Sequence, residues 1–255
     1  MKSTFALIWH LFVRDFKAEY RQSLLGYAWA FIPVLATTLT WVFLDQQNII
    51  SIGSTDLPYP IHVMLGSMLW GVFAKSLTGI MQGFSSGSSV FVKIRCSPIA
   101  FSLSGLSQVF FDMCLQCLLL IPAFLLFGIK FSPYILFAPF GIFGLAMLGS
   151  AFGLLLTPFA SLYSDVSRAV AFALSFLMYL TPVVYPVPKE GLASIIVFYN
   201  PVTPLMELTR GLLTGEPIFN FFSLTYVSLI SLFLILVSLW FLKISFPHLV
   251  SRMGS

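Results

Sequence analysis

Long apolar stretches separated by short polar connections make up most of this chain. A helix needs about 20 predominantly apolar residues to cross the hydrocarbon core of a bilayer. Uncharged windows of that length are 22–44, 131–164, 169–188 and 217–242. Two further windows carry one charge each, 57–81 with Lys75 and 99–127 with Asp112. The pattern predicts an all-α integral membrane protein with six transmembrane helices.

Within these windows we place the predicted helices of a single transmembrane domain that covers 1–255. The spans are expected at about 24–44, 61–81, 99–127, 133–157, 168–186 and 220–242. Between the last two spans, the region 187–216 contains several prolines and apolar pieces too short to cross. Non-helical backbone at membrane depth must be covered by protein or face a water-filled cavity. We therefore predict two short re-entrant helices that dip back from the outer face.

The first 23 residues are too polar to span, but their pattern is helical. His10, Arg14, Lys17 and Arg21 fall on one stripe at 100° per residue, opposite a stripe of apolar side chains. This arrangement predicts an amphipathic interface helix over 1–23 that lies flat at the membrane surface. An ordinary charged tail before the first span is the alternative.

Composition supports a membrane protein and excludes a soluble domain. Only 9% of the residues are charged and 58% are hydrophobic, whereas a soluble domain carries about 25% charged residues. The mean hydropathy is +0.97. Aromatic residues reach 16%, and spans one and five each contain several of them. They indicate either lipid-facing interfacial belts or a pore wall on which sugar rings can stack.

The distribution of charge predicts the orientation. With six spans, nine Lys and Arg residues fall on the side of the two termini, and three fall on the other side beside five acids. Because cytoplasmic loops carry the excess of Lys and Arg, both termini are expected in the cytoplasm.

Few residues suggest chemistry. No lysine follows a glycine, so a phosphate-binding loop of the G-K-[ST] type does not occur. The histidines lack metal-ligand spacing, and no close pair of carboxylates stands out. We expect no catalytic residue, no cofactor, no metal and no nucleic-acid partner.

Charges inside the spans need a separate explanation, because each costs about 2.5–3.5 kcal/mol at a helix centre on insertion scales. Asp112 and Gln116 lie one turn apart on one helix face. They could form a proton or cation site, or hydrogen bonds between helices. A single acid favours the second interpretation. Lys75 can extend its charge towards a lipid headgroup.

Small residues recur at helical spacing in the spans. The spacings Gly79-Gly83, Gly83-Gly87 and Gly149-Gly153 predict close helix packing.

Two stretches resemble a known family. The segment R-D-F-K-A-E-Y-R-Q-S-L-L-G-Y-A-W from Arg14 to Trp29 is similar to the start of ABC-2 type permeases that export polysaccharides. The second resemblance is a re-entrant motif, T-P-V-V-Y-P followed by N-P-V-T and E-x-x-R. Its residues are Pro182, Tyr185, Pro186, Asn200, Pro201, Glu207 and Arg210. Thr181 stands where serine is usual, and Lys75 and Asp112 are not part of the family pattern.

The resemblance implies the transport subunit of an ABC exporter in the bacterial inner membrane, and not an enzyme. Such a permease forms a homodimer and pairs with two copies of a cytoplasmic ATPase, which binds the ATP. The implied cargo is lipid-linked polysaccharide such as O-antigen, capsule or teichoic acid. Alternatives are a permease for a small drug or lipid, an integral membrane glycosyl- or acyltransferase, and a passive channel.

The resemblance also implies roles for particular residues. Spans one and five would line the channel, with candidates Tyr27, Trp29, Phe31, Trp41, Phe172, Phe176 and Tyr179. The loop around Phe84–Pro98 would couple to the ATPase, with candidates Phe84, Val90, Phe91, Lys93 and Arg95. The residues themselves suggest a further hypothesis, that Arg14, Lys17 and Arg21 attract the lipid pyrophosphate of the cargo. Ordinary anionic lipids or acids on the ATPase are equally compatible with that stripe.

Overall fold

A computed structural model describes residues 13, 26–50, 53, 55–86, 98–130, 132–188, 190–215 and 221–253. Within these ranges the fold is all-α, and no β-strand is present. The helices are α1 Ile32–Gln46, α2 Tyr59–Ser86, α3 Pro98–Leu126, α4 Ala138–Leu162, α5 Ser164–Leu180, α6 Gly191–Tyr199, α7 Val202–Thr214 and α8 Phe221–Met253. Short 3-10 helices precede α1 and α4, at Gly26–Ala30 and Pro133–Phe137.

Four of the described helical segments are long and apolar enough to cross a membrane. They are Tyr59–Ser86, Ser104–Leu126, Pro133–Leu162 and Thr225–Phe246. The pair α6 and α7 would make a fifth if it were one span, but its two helices meet at an angle of 87°. The helices α1 and α5 are shorter, at 15 and 17 residues. Length and composition therefore identify a multi-pass membrane protein.

The centre of the fold is α2, in which every residue from Ile61 to Trp70 is buried. It packs against α1, α3 and α4. Glycines allow this close approach. A Cβ atom on Gly105 of α3 would overlap the carbonyl oxygen of Gly79, and one on Gly153 of α4 would lie 2.6 Å from the Leu77 carbonyl. The predicted packing role of Gly79, Gly149 and Gly153 is confirmed.

The charges predicted within two spans meet each other. Lys75 of α2 forms an ion pair with Asp112 of α3. Gln116, one turn further along α3, donates a 2.9 Å hydrogen bond to the Ala30 carbonyl. The interpretation of Asp112 and Gln116 as hydrogen-bonding groups between segments is confirmed. From the sequence, separate explanations were given for Lys75 and Asp112, and their pairing was not predicted.

The helix α8 packs along α4. Ser238 donates a 3.1 Å hydrogen bond to the Ala151 carbonyl, and the rings of Phe159 and Phe241 stack at 5.7 Å. A second buried cluster joins α2, α4 and α8 near the last residues of α2. Its buried members are Ile80, Phe84, Leu154, Leu242 and Leu249.

The fifth predicted span, 168–186, and the observed helix differ at both ends. The helix begins four residues earlier, at Ser164, and the larger difference is at its C-terminal end. We expected a helix up to 186, whereas α5 ends at Leu180. Pro182 and Pro186 explain the difference, because proline lacks the backbone N–H that a helix interior needs and disfavours helical conformation in the residue before it. The residues after α5 form a buried turn instead, and this turn positions the site described next.

Candidate functional site

The turn after α5 is buried although it is not helical. Thr181, Pro182, Val183 and Val184 are all buried between α2 and the hairpin of α6 and α7. Buried backbone needs hydrogen-bond partners. The Thr181 hydroxyl donates to the Leu177 carbonyl at 2.8 Å and so stays attached to the last turn of α5.

Asn200 joins this turn to the bend between α6 and α7. Its side-chain nitrogen donates a 2.7 Å hydrogen bond to the Thr181 hydroxyl. Its side-chain oxygen accepts from the backbone N–H of Val202 at 3.0 Å, which satisfies one of the unpaired donors at the start of α7. Both functional groups of the amide are therefore used. The N-P dipeptide of the predicted motif fixes the bend and ties it to α5.

A buried ion pair on α7 completes the cluster. Arg210 Nη1 lies 2.5 Å from Glu207 Oε1, and the side chains are 1% and 22% exposed. Arg210 Nη2 also donates to the Pro182 carbonyl at 3.3 Å. A buried guanidinium requires a counter-charge and hydrogen-bond acceptors because its desolvation is costly. Glu207 supplies the counter-charge, and the turn supplies a carbonyl acceptor.

The floor of the cluster comes from α2 and was not predicted. His62 Nε2 lies 3.3 Å from the Tyr185 carbonyl oxygen. Gly66 lies directly beneath the turn, where an added Cβ would overlap the Val183 carbonyl oxygen and come within 3.0 Å of Arg210 Nη2. From the sequence, His62 was tested only against metal-ligand spacing, and Gly66 was not singled out. A glycine in the middle of an apolar span was the available signal for a close backbone approach.

The structure thus joins most of the re-entrant motif into one cluster, which we call the hairpin lock. It comprises Thr181, Pro182, Val183, Tyr185, Asn200, Glu207 and Arg210 with Gly66 and His62 of α2. The Tyr185 hydroxyl donates to the Tyr179 carbonyl at 3.1 Å. Pro201 and Pro186 flank the two connections and are half-buried. The lock contains no arrangement of nucleophile and base. Its chemistry is structural, and it holds the hairpin of α6 and α7 against α2 and the end of α5.

Aromatic side chains gather on a different surface, along α1 and α5. The rings of Trp41 and Tyr179 lie 6.4 Å apart and connect these two helices. Phe172 and Phe176 lie 6.1 Å apart, on an exposed part of α5. Only a stripe at every fourth position of α5 faces the protein. That stripe is Val166, Val170, Leu174 and Met178.

The remaining predicted channel-lining residues divide by exposure. Tyr27 and Trp29 are about half exposed, and Phe31 and Trp41 are partly buried. Tyr27 contacts the ring of Phe111 on α3 at 6.1 Å. The exposed remainder of α5 mixes aromatic side chains with polar and small ones, including Ser167, Arg168 and Ser175. Such a face differs from the aliphatic surface that lipid alone would favour.

The family model for the ABC-2 type transporter matches residues 6–214 of this chain. This match covers most of the sequence, from before α1 to the end of α7. The chain belongs to the ABC-2 type transporter family. Its members are the membrane subunits of transporters, and the ABC-2 match ends at the last residue of the hairpin that the lock holds.

Curated proteins similar to this ABC-2 chain are described as O-antigen export system permease proteins. The one from Myxococcus xanthus, RfbA, is 24% identical over 78% of this chain and 77% of its own length. An RfbA from Klebsiella pneumoniae is 22% identical over 84% of this chain and 82% of its own length. A second one from that organism is 20% identical over 84% and 83%. The similarity extends over most of both chains.

The candidates for the cargo's pyrophosphate and for coupling to the ATPase lie mostly outside the described residues of this ABC-2 chain. This holds for the stripe Arg14, Lys17 and Arg21, and for the coupling candidates Val90, Phe91, Lys93 and Arg95. Phe84 is described and lies within α2, not in a loop. It is fully buried and meets the ring of Phe246 on α8 at 6.4 Å.

The hairpin lock allows a first test. Asn200→Ala removes one hydrogen bond to Thr181 and one from Val202, and we expect the free energy of unfolding to fall by about 1–3 kcal/mol at about 1 kcal/mol per bond. Asn200→Asp keeps the acceptor and should lose about half of that. Thermal unfolding of the purified protein in detergent measures the change. Ser194→Ala is the control, because its hydroxyl bonds only locally, to Gly191. An equal effect of both alanine variants would contradict the bridging role of Asn200.

Proposed function

We propose that this chain is the membrane subunit of an ATP-driven exporter that moves lipid-linked polysaccharide from the cytoplasmic to the outer face of the bacterial inner membrane. The main observation that supports this proposal is the similarity to O-antigen export permeases over about four-fifths of both chains. The aromatic face of α1 and α5 agrees with this cargo, because stacked rings accommodate sugars without strong charges.

Six spans with both termini in the cytoplasm form part of the proposal. The helices of the α6 and α7 hairpin have 9 and 13 residues, so each reaches about 14–20 Å, well short of the ~30 Å core. Their 87° bend prevents them from acting as one straight span. A re-entrant hairpin leaves α1, α2, α3, α4, α5 and α8 as the six spans. This count also gives the nine-to-three division of basic residues.

ATP hydrolysis is assigned to a separate subunit. The sequence has no phosphate-binding loop of the G-K-[ST] type, and ABC-2 family membership implies a partner ATPase. We propose a homodimer of this chain with two copies of that ATPase. The stripe Arg14, Lys17 and Arg21 would meet the cargo's pyrophosphate near the cytoplasmic surface, a role that rests on its spacing in the sequence.

Affinity purification tests whether this chain assembles with the proposed ATPase subunit. The tagged chain should retain an ATPase that contains a phosphate-binding loop and is encoded beside it, with two copies of each subunit in the complex. Added lipid-linked polysaccharide should raise ATP hydrolysis by that complex. Stimulation by a small lipophilic drug in its place would favour the alternative drug or lipid permease. A chain purified at native expression without any ATPase would contradict the proposal.

The channel surface is tested by Phe172→Ala combined with Phe176→Ala. Both rings are well exposed, at 72% and 62%, so their removal leaves little buried surface to lose. We expect a several-fold fall in polysaccharide at the cell surface with unchanged protein in the membrane. Phe233→Ala on α8 is the control, because this ring is comparably exposed, at 66%, but lies outside α1 and α5. Equal export by the α5 double variant and the wild type would contradict the channel assignment.

A further inference from the structure

A polar cleft of about 350 Å³ lies between α2 and α3, and its described lining residues belong neither to the hairpin lock nor to the aromatic residues of α1 and α5. The ion pair of Lys75 and Asp112 lies at one end of the cleft, and Ser86, the last residue of α2, lies at the other. At 1.5 Å per residue, this is a length of about 16 Å along α2. Uncharged hydrogen-bonding side chains line the walls, namely Thr78, Gln82, Ser86, Ser104 and Gln108.

Glycines form the base of this cleft. Gly79 and Gly105 bring the backbones of α2 and α3 into direct contact, and a Cβ on Gly105 would overlap the Gly79 carbonyl. Contact of Gly79 with Gly105 and of Lys75 with Asp112 shows that the two helices run antiparallel. The polar side chains therefore line up on both walls of one groove. Ionisable groups within a membrane-spanning pair of helices point to a functional site.

The charges of the cleft indicate its ligand. The Lys75 side chain is 42% exposed and that of Asp112 is 11% exposed, so both reach the cleft while paired. An isolated anion would be attracted by Lys75 but repelled by Asp112. An isolated cation would be attracted by Asp112 but repelled by Lys75. A zwitterion can lie antiparallel to the pair, with its anion on Lys75 and its cation on Asp112. Each charge then lies beside an opposite one without separating the original pair.

We propose that this cleft binds the headgroup of a zwitterionic phospholipid, with the phosphate on Lys75 and a primary ammonium on Asp112. The ammonium of Lys75 has three donors, enough for both Asp112 and a phosphate oxygen. The hydroxyls and carboxamides along the walls offer hydrogen bonds to the phosphate oxygens and the ammonium of a headgroup that enters the groove. Lys75 lies 11 residues, or about 16 Å, before Ser86, so the headgroup would reach the ion pair along this polar groove while the acyl chains stay in the hydrocarbon. The site takes bilayer lipid and is distinct from the exported cargo.

The choice of lipid makes the proposal testable. The full chain, purified in detergent with its co-purifying subunits, is titrated separately with phosphatidylethanolamine, phosphatidylcholine and phosphatidylglycerol, and bound lipid is counted by native mass spectrometry. We expect the strongest binding for phosphatidylethanolamine. The quaternary ammonium of phosphatidylcholine has no N–H to donate to Asp112. Phosphatidylglycerol carries a phosphate but no cation, and should bind least.

Two substitutions should separate the two charges. Asp112→Asn should lower phosphatidylethanolamine binding by about tenfold, the size of one charge-assisted hydrogen bond, and should raise phosphatidylglycerol binding. Lys75→Met should weaken both phosphatidylethanolamine and phosphatidylcholine. Lys75→Arg keeps the cation and should retain binding, which provides a folded comparison if Lys75→Met fails to fold. Lys243→Met is the control, because this exposed lysine of α8 lies outside the cleft.

Three results would overturn the assignment. One is equal binding of all three lipids by the wild type. Another is lipid binding that Asp112→Asn leaves unchanged. The third is strongest binding of phosphatidylglycerol, which would make the cleft an anion site. The lipid-binding measurement does not depend on ATP hydrolysis. It therefore tests the lipid site separately from the proposed export function.

Discussion

Glu207→Ala should destabilise the folded protein by about 3–5 kcal/mol, the usual cost of removing one member of a buried ion pair. Arg210 is 1% exposed, so the variant keeps a buried guanidinium but lacks the carboxylate that offsets its charge. The Pro182 carbonyl at 3.3 Å is a neutral acceptor and cannot replace it. We expect little folded protein in the membrane and a large fall in the midpoint of thermal unfolding.

A double substitution distinguishes the charge from the packing. Glu207→Ala combined with Arg210→Met removes both charges and keeps much of the volume of the buried side chain. It should be less destabilised than Glu207→Ala alone, because no uncompensated charge remains. If the double variant is as unstable as the sum of the single variants, the two residues act independently and the ion pair is not what holds the hairpin.

The chain offers a control with the same spacing. Asp165 and Arg168 on α5 also form a pair three residues apart, at 3.2 Å, but their side chains are 89% and 80% exposed. Exposed pairs contribute about 0–1 kcal/mol, because water screens both charges. Asp165→Ala should therefore leave the unfolding midpoint nearly unchanged. The difference between the two alanine variants measures the effect of burial.

Gly66→Ala should also prevent normal assembly of the hairpin lock. The added methyl group would overlap the Val183 carbonyl oxygen and press on Arg210 Nη2, and these groups cannot move independently because they are linked through Pro182. Overpacking of this kind costs about 1–3 kcal/mol or more. Gly66→Val should be worse. The expected readouts are aggregation on size exclusion and a lowered unfolding midpoint.

Gly71→Ala is the matched control on the same helix. A Cβ at position 71 meets nothing within 4 Å, so the substitution adds no clash. Since alanine favours a helix over glycine by about 1 kcal/mol, this variant should be neutral or slightly more stable. Equal damage from Gly66→Ala and Gly71→Ala would show that α2 is sensitive to any change and would remove the evidence for contact with the turn.

Features with a local cause could be predicted from the sequence. Apolar length marked the four long helices, and the prolines around 187–216 marked the hairpin of α6 and α7. The end of α5 was placed six residues too late, at 186 and not at Leu180, because hydropathy continues through Thr181–Val184 while the backbone turns. High hydropathy indicates that a segment is buried, but it does not distinguish a buried turn from a buried helix.

Contacts between segments that are far apart in the sequence could not be predicted from local patterns. His62 and Gly66 contact a turn more than a hundred residues later, and no feature of the sequence around them indicates this partner. Lys75 and Asp112 offered a better signal. Opposite charges in two consecutive spans, each too costly to leave alone, favour a pair. The N-terminal stripe and the coupling candidates between 87 and 97 remain predictions.

The position of Gly66 also limits how the sequence can diverge. With the turn at 182–183 on its present path, any side chain at 66 collides with backbone, which no rotamer change can relieve. A substitution there would need simultaneous compensating changes in α7 and after α5. Neutral drift is therefore expected on exposed positions elsewhere, such as the outward faces of α3 and α8, whereas position 66 and the turn above it must change together.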